Sequence, residues 1–314
     1  MKAMSKFFLI IAAVLLAIGA ALMIIGSVMA KNSGIQLFQE KHDGKYLYSL
    51  DLSDKEITKV SIDATDTDIT LKTGEDRSYI EFINFNENYY SIKSTNKVVE
   101  FEEHVSLSSL ISFWDGNFKF KGMRSFLSLG SSMSGQKEVI IHMTDTSDIN
   151  VFSFTITDGD IVLQNAESNT DYTITMDTGN VTMSNITTQS KVQINGNNCS
   201  VKLENCSFRY FESNIDNVEL NADIHTLHTF DFTGKSGKVL ANLEMDTEKN
   251  DIIIRTESEQ PFKFNNEEHT KEYLNNIMSS DADQDPSFIH VKGEDMTIEI
   301  IAKIPETPET EAKQ

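Results

Sequence analysis

Apolar and polar positions follow three regimes along this chain. Residues 7–30 are a single uncharged apolar run, residues 45–301 alternate apolar and polar side chains over short stretches, and residues 304–314 form a polar tail with two prolines. A period of two marks strands buried on one face, because successive side chains point to opposite sides of a sheet. Val60-Ser61-Ile62, Asp68-Ile69-Thr70-Leu71 and Tyr79-Ile80-Glu81-Phe82 read this way, Val139-Ile140-Ile141 is a further short apolar strand, and Met296-Thr297-Ile298-Glu299-Ile300-Ile301 is a last one.

Between residues 151 and 211 the alternation acquires a longer period. Phe152, Tyr172 and Val192 are twenty residues apart, and so are Phe154, Ile174 and Ile194. The same spacing relates Ile161, Val181 and Val201, then Leu163, Met183 and Leu203, and finally Asn165, Asn185 and Asn205. Turn residues separate the halves of each unit, at Asp158-Gly159-Asp160, Asp177-Thr178-Gly179-Asn180 and Asn195-Gly196-Asn197-Asn198. A unit of two short strands cannot bury its apolar face alone, whereas stacked units share a continuous interior. The expected fold is therefore all-β, a β-solenoid or β-helix-like stack of two-strand coils. Asn165, Asn185 and Asn205 are expected to form a turn ladder, since Asn tolerates left-handed backbone angles and can bond to the Asn of the next unit.

Outside the repeat the pattern loosens. Val218 and Leu220 follow Val201 and Leu203 by seventeen residues, and residues 210–262 read as later, less regular coils. This gives a first β region or cap at 45–150 and a repeat solenoid at 151–262. A helix-like insertion over 267–278 and a final capping strand follow within 263–303, and the tail at 304–314 is expected to be disordered.

The apolar run changes the address of the molecule. It is long enough to cross a bilayer's hydrocarbon layer as one transmembrane helix, and longer than a usual signal-peptide core. Lys2 and Lys6 precede it, so residues 1–6 are expected in the cytoplasm and the rest outside, on the cell membrane. An uncleaved signal anchor is the preferred reading, with cleavage after Val28-Met29-Ala30 as the alternative. The linker at 31–44 is too short to carry the domain past a thick cell wall.

Charge excludes one class of partner. With 27 Lys+Arg against 48 Asp+Glu the chain stands at −21, which repels nucleic-acid phosphates. Cys199 and Cys206 are too far apart along one extended strand for a disulfide, which leaves two free thiols or a bridge across a local turn.

The units Gly159-Asp160-Ile161-Val162-Leu163 and Gly179-Asn180-Val181-Thr182-Met183, with Ile62-Asp63 and Asp68-Ile69-Thr70-Leu71, carry a family resemblance. They resemble the bacterial putative-adhesin family of membrane-anchored β-solenoid envelope proteins, whose domain has no assigned function. The likeness covers residues 45–301. It implies an N-terminal span, a solenoid outside the membrane, and a setting near envelope stress-response systems. The 267–278 insertion and an aromatic segment at 110–129 depart from the family pattern.

Motifs for catalysis, cofactors and metals fail on inspection. The glycines at 130 and 135 have P-loop spacing, but Gln136 holds the lysine position. Asp281, Asp283 and Asp285 begin like a calcium loop, but Pro286 replaces its glycine. His225 and His228 lie on opposite faces of a strand, and Asp63, Asp66 and Asp68 read as turn residues. No catalytic, cofactor or metal residue is assigned. The unusual segment is 110–129, where Phe113, Trp114, Phe118, Phe120 and Phe126 sit among Lys119, Lys121 and Arg124 with a single acid. Such a segment either packs over the open end of the solenoid or touches a membrane or partner. The sequence thus points to a non-catalytic, adhesin-like binding module whose partner is a cell-wall polymer or a membrane protein. An accessory or scaffold subunit of an envelope-stress complex is the alternative, and a polysaccharide-active enzyme a minor one.

Overall fold

A computed structural model describes residues 40–42, 45–52, 56–85, 90–95, 97–103, 113–114, 117–118, 136–245, 252–270, 272–277 and 287–303. The expected span at 7–30 and the tail at 304–314 lie outside the described residues. Within the described residues there is no helix, and so none long and apolar enough to cross a membrane.

A regular rung of the structure begins in one sheet, turns a corner near a glycine or asparagine, and ends in a second sheet. The first sheet stacks Val98–Glu103, Lys59–Ala64, Val151–Gln164 and Asp171–Ser184 in parallel. Thr187–Leu227, which runs through two successive rungs, comes next, then Thr229–Met245, Ser287–Lys303 and Ile252–Ser258. In the second sheet Lys137–Met143 and Thr67–Thr73 precede the second halves of the same rungs, and Phe262–Phe264 closes the parallel run. Both ends are finished by antiparallel strands. Tyr90–Ser94, Tyr79–Ile83 and Lys45–Asp51 finish one end, and Glu272–Ile277 and Glu267–His269 the other.

The inward columns make the core. Phe152, Tyr172, Val192, Phe211, Phe230 and Ile289 lie on the first sheet, facing Leu71, Leu163, Met183 and Leu203 on the second, all fully or almost fully buried. Phe152 stacks on Tyr172 with ring centroids 5.5 Å apart, and Phe211 on Phe230 at 5.2 Å. Each such side chain removed from water contributes about 1.5–3 kcal/mol. A third, short side carries Ala166, Ile186 and Cys206, all buried, joined by Thr187 N–H donating to Ala166 O and Ser207 N–H to Ile186 O, both at 2.8 Å.

Two backbone devices turn the rungs. Asn165, Asn185 and Asn205 have φ of 55°, 53° and 50°. The Asn185 amide donates to Asn165 Oδ1 at 2.9 Å and Asn205 to Asn185 Oδ1 at 2.8 Å. At the opposite corner Gly159 and Gly179 have φ of 136° and 130°, a region that L side chains rarely adopt. A Cβ on Gly179 would lie 2.0 Å from Gly159 O.

Three features differ from the sequence expectations. The helix expected over 267–278 is two strands, Glu267–His269 and Glu272–Ile277. Asn265 and Asn266 have φ of 48° and 65° and turn Phe262–Phe264 back on Glu267–His269, while Glu272–Ile277 pairs with the edge of Ile252–Ser258. The offer of a strand edge outweighs local helix propensity. Secondly, Ser287–Lys303 does not cap the stack. It lies inside it, between Thr229–Met245 and the Ile252–Ser258 and Phe262–Phe264 strands. Thirdly, the period after residue 205 shortens to nineteen, not seventeen, with Phe211 paired to Phe230 and Leu220 to Val239.

Gly179→Ala is expected to destabilise the domain by about 3–5 kcal/mol, because both its φ and the Gly159 carbonyl oppose a side chain. Asn185→Ala should cost about 1–3 kcal/mol, from one left-handed residue and one ladder link. Urea unfolding of the two variants would check the order.

Candidate binding surfaces

Chain geometry brings together the two halves of a split rung. Val98–Glu103 supplies the first-sheet strand and Lys137–Met143 the second-sheet strand, so residues 104–136 stand where other rungs have a short corner. Lys137 Nζ lies 2.8 Å from Glu103 Oε1 and 2.9 Å from Oε2, with side-chain exposures of 7% and 8%. Glu103 Oε2 also accepts from the Thr65 N–H and Oγ1–H, and Asn84 Nδ2 donates to Gln136 O at 2.7 Å. A buried, hydrogen-bonded ion pair therefore ties the exit and return of the insertion. Phe113–Trp114 and Asn117–Phe118, within it, pair as a two-stranded antiparallel ribbon. Phe120 and Phe126 lie outside the described residues.

The corner edge holds two recesses. One of 460 Å³ is lined by Asp66, Asp68, Gln136, Asp158, Gly159 and Asp160. Two of its four acids are used as staples: Asp68 Oδ1 accepts from Asp160 N–H at 2.9 Å, and Asp160 Oδ1 from Asn180 Nδ2 at 2.7 Å. The second, an open groove of 610 Å³, runs past Asn180, Asn198, Ser200 and Asn217, and Asn217 donates to Asn198 Oδ1 at 2.9 Å. Among the described residues no cluster of three His, Cys, Asp or Glu side chains is placed to hold a metal ion.

The remaining candidates separate. His225 is half-exposed and 2.9 Å from Glu244 Oε2, whereas His228 is buried with Nδ1 3.0 Å from Ser287 Oγ. A left-handed Thr226, φ 54°, and a register shift lie between them. His142 is buried against Tyr79, ring centroids 4.2 Å apart, with Glu75 3.2 Å from Nδ1 and Glu81 3.4 Å from Nε2. Cys199 and Cys206 are free and buried. Burial pushes the Cys206 thiol up to about 11 and the Tyr172 hydroxyl up to about 12, and raises Cys199 as well.

The outer face of the first sheet differs from these corners. Register places Ser153 beside Thr173 and Gln193, and Thr155 beside Thr175 and Asn195. All six are half-buried, and none carries a charge. This outer block and the buried Glu103–Lys137 pair are the features that sequence patterning passed over. The block was legible as the outward positions of the twenty-residue repeat. The ion pair was not, since thirty-three residues separate its members.

A parallel stack of two-strand rungs with antiparallel ends defines an all-β, β-solenoid-like protein. The chain belongs to the Toastrack DUF4097 family, whose model matches residues 57–283. Among solved structures it is similar to a putative cell adhesion protein from Clostridium sporogenes, at 16% identity, over 82% of this chain and 99% of that one, TM-score 0.31. It is also similar to a putative adhesin from Bacteroides fragilis, at 7% identity over 84% and 99%, TM-score 0.28. A putative lipid binding protein from Parabacteroides distasonis shares 10% identity over 83% and 98%, TM-score 0.24. No curated protein matches the chain.

Removing one partner of the buried pair, by Lys137→Met or Glu103→Gln, should cost about 3–5 kcal/mol, and the double variant should recover part of that loss. A double-mutant cycle in urea measures it. The buried thiol and phenol predict a separate alkaline effect. Below about pH 8 both folded and unfolded chains hold these protons. As pH rises from 9 toward 12 the unfolded chain releases them first, so stability falls, by on the order of 2–3 kcal/mol for each group. Thermal midpoints across that range should fall less steeply for Cys206→Ala.

Proposed function

We propose that this protein is a non-catalytic binding module of the cell envelope, held to the membrane through residues 7–30 and presenting the outer face of its β stack to a ligand. The observation that carries this reading is the block of aligned, uncharged polar side chains on the first sheet, set in a chain of charge −21. In the corner recesses Asp68, Asp160 and Asn180, and Asn198 and Asn217, already bond along the stack, which suits a structural role. The family's membership fits the same reading without specifying a ligand.

A second reading has its own observation. The buried Glu103–Lys137 pair pins together the ends of the insertion that carries Phe113, Trp114, Phe118, Phe120 and Phe126 beside Lys119, Lys121 and Arg124. An aromatic and basic segment on a fixed stem suits contact with a membrane protein or the membrane surface, as in an accessory subunit of an envelope-stress complex.

Crosslinking in cells followed by co-purification separates the two. Under the first reading the full chain recovers envelope polymer, and Thr173→Glu with Thr175→Glu abolishes recovery while Trp114→Ser with Phe118→Ser does not. Recovery of one defined membrane protein, lost in the Trp114→Ser and Phe118→Ser variant, would establish the second reading instead.

A further inference from the structure

The outer block of the first sheet shows what its ligand must lack. It comprises Ser153, Thr155, Thr173, Thr175, Gln193 and Asn195, two columns across three rungs. Among the described residues, none of these side chains makes a hydrogen bond within the protein. The contrast with the corners is sharp, because Asn165, Asn185 and Asn205, Asp160 and Asn180, and Asp177 and Asn197 all bond along the stack. Hydroxyl and amide groups, able to donate and accept, are thus left facing outward in register.

Charge frames the block. Glu100, Glu102 and Asp63 stand on the rungs before it, while on the rungs after it Glu212 is paired with Lys191 and Asp231 lies 2.9 Å from His290 Nδ1. Asp171 and Lys191 flank the block on its own rungs, so a polyanion would meet repulsion at the leading end, and a polycation would be drawn to that rim and leave the centre unused. Apolar footing is also lacking on this face, since among the described residues the large exposed hydrophobic ones, Leu274, Phe288 and Ile301, all lie on the C-terminal strands. A protein interface with a dehydrated apolar centre finds no anchor here. The column through Thr155, Thr175 and Asn195 continues uncharged through Asn214 and Thr233. At roughly 4.8 Å per rung these five positions span about 19 Å, a length suited to an extended polymer.

We infer that this face binds a neutral polysaccharide strand, lying along the stack, through its outward hydroxyl and amide columns. The inference rests on the binding-module reading above and adds the chemistry of the ligand. Sugar hydroxyl and acetamido groups both donate and accept, matching Ser, Thr, Asn and Gln without a net charge. Individual contacts are weak in water, and affinity grows with the number of rungs engaged by one strand.

Calorimetric titration of the full chain in detergent tests it, with a neutral N-acetylglucosamine oligomer and a uronic-acid oligomer as probes. The neutral oligomer should bind, with little change as salt is raised, and the uronic-acid oligomer should not. Combined Thr173→Ala, Thr175→Ala and Asn195→Ala should weaken binding at least about tenfold, or about 1.4 kcal/mol, with the thermal midpoint unchanged. Lys202→Ala, on the second sheet, should leave it intact. Should the triple variant unfold, Asn195→Ala alone decides, with weaker binding expected. Equal binding of both oligomers, or full affinity in the folded triple variant, overturns the inference. If neither oligomer binds while envelope polymer is still captured and Thr173→Glu with Thr175→Glu abolishes capture, the ligand class is wrong and the binding-module reading stands. If capture is absent too, both fall.

Discussion

The close approach of one rung's backbone to the next at the corners sets the geometry of the whole stack. At Gly179 no side chain fits, because a Cβ would stand 2.0 Å from the carbonyl of Gly159. On the other side of the regular rungs the left-handed Asn185 and Asn205 donate their side-chain amides to the Asn of the preceding rung. These two corners lock the register, and register decides which side chains face inward. The aromatic columns Phe152 to Tyr172 and Phe211 to Phe230 follow from it, and so does the uncharged outer block.

The ends obey a different constraint. A parallel stack exposes an unpaired edge at each end, a template for unwanted association. Here the chain folds back antiparallel strands at both ends, Tyr90–Ser94 and Lys45–Asp51 at one and Glu272–Ile277 and Glu267–His269 at the other. At the split rung of Glu103 and Lys137 a long insertion takes the place of the corner peptide. There a buried ion pair, supported by Thr65, holds two strand ends that the backbone joins only through thirty-three residues. The same rungs that bury the core thus also carry an outer block of uncharged polar side chains and pin the two ends of the aromatic insertion.

Much of the fold was legible from residues 151–205, because a strict twenty-residue spacing writes three-dimensional neighbours into one dimension. Phe152, Tyr172 and Val192 are adjacent in space since each rung contains the same number of residues. The candidate face was legible for the same reason, as the polar positions between those apolar ones. The charges and tyrosine of Glu267–Ile277 allow a helix when taken alone. The Asn265-Asn266 turn and the waiting edge of Ile252–Ser258 make it a hairpin and a strand.

Local alternation and a constant period suffice to specify the class of fold, the corner chemistry and the core columns of the repeat. Tertiary structure alone decided that Ser287–Lys303 lies between Thr229–Met245 and Ile252–Ser258, and that Glu103 meets Lys137. Both are choices of partner across long stretches of chain. Many strands of similar pattern offer equivalent edges, and only packing the whole stack selects among them.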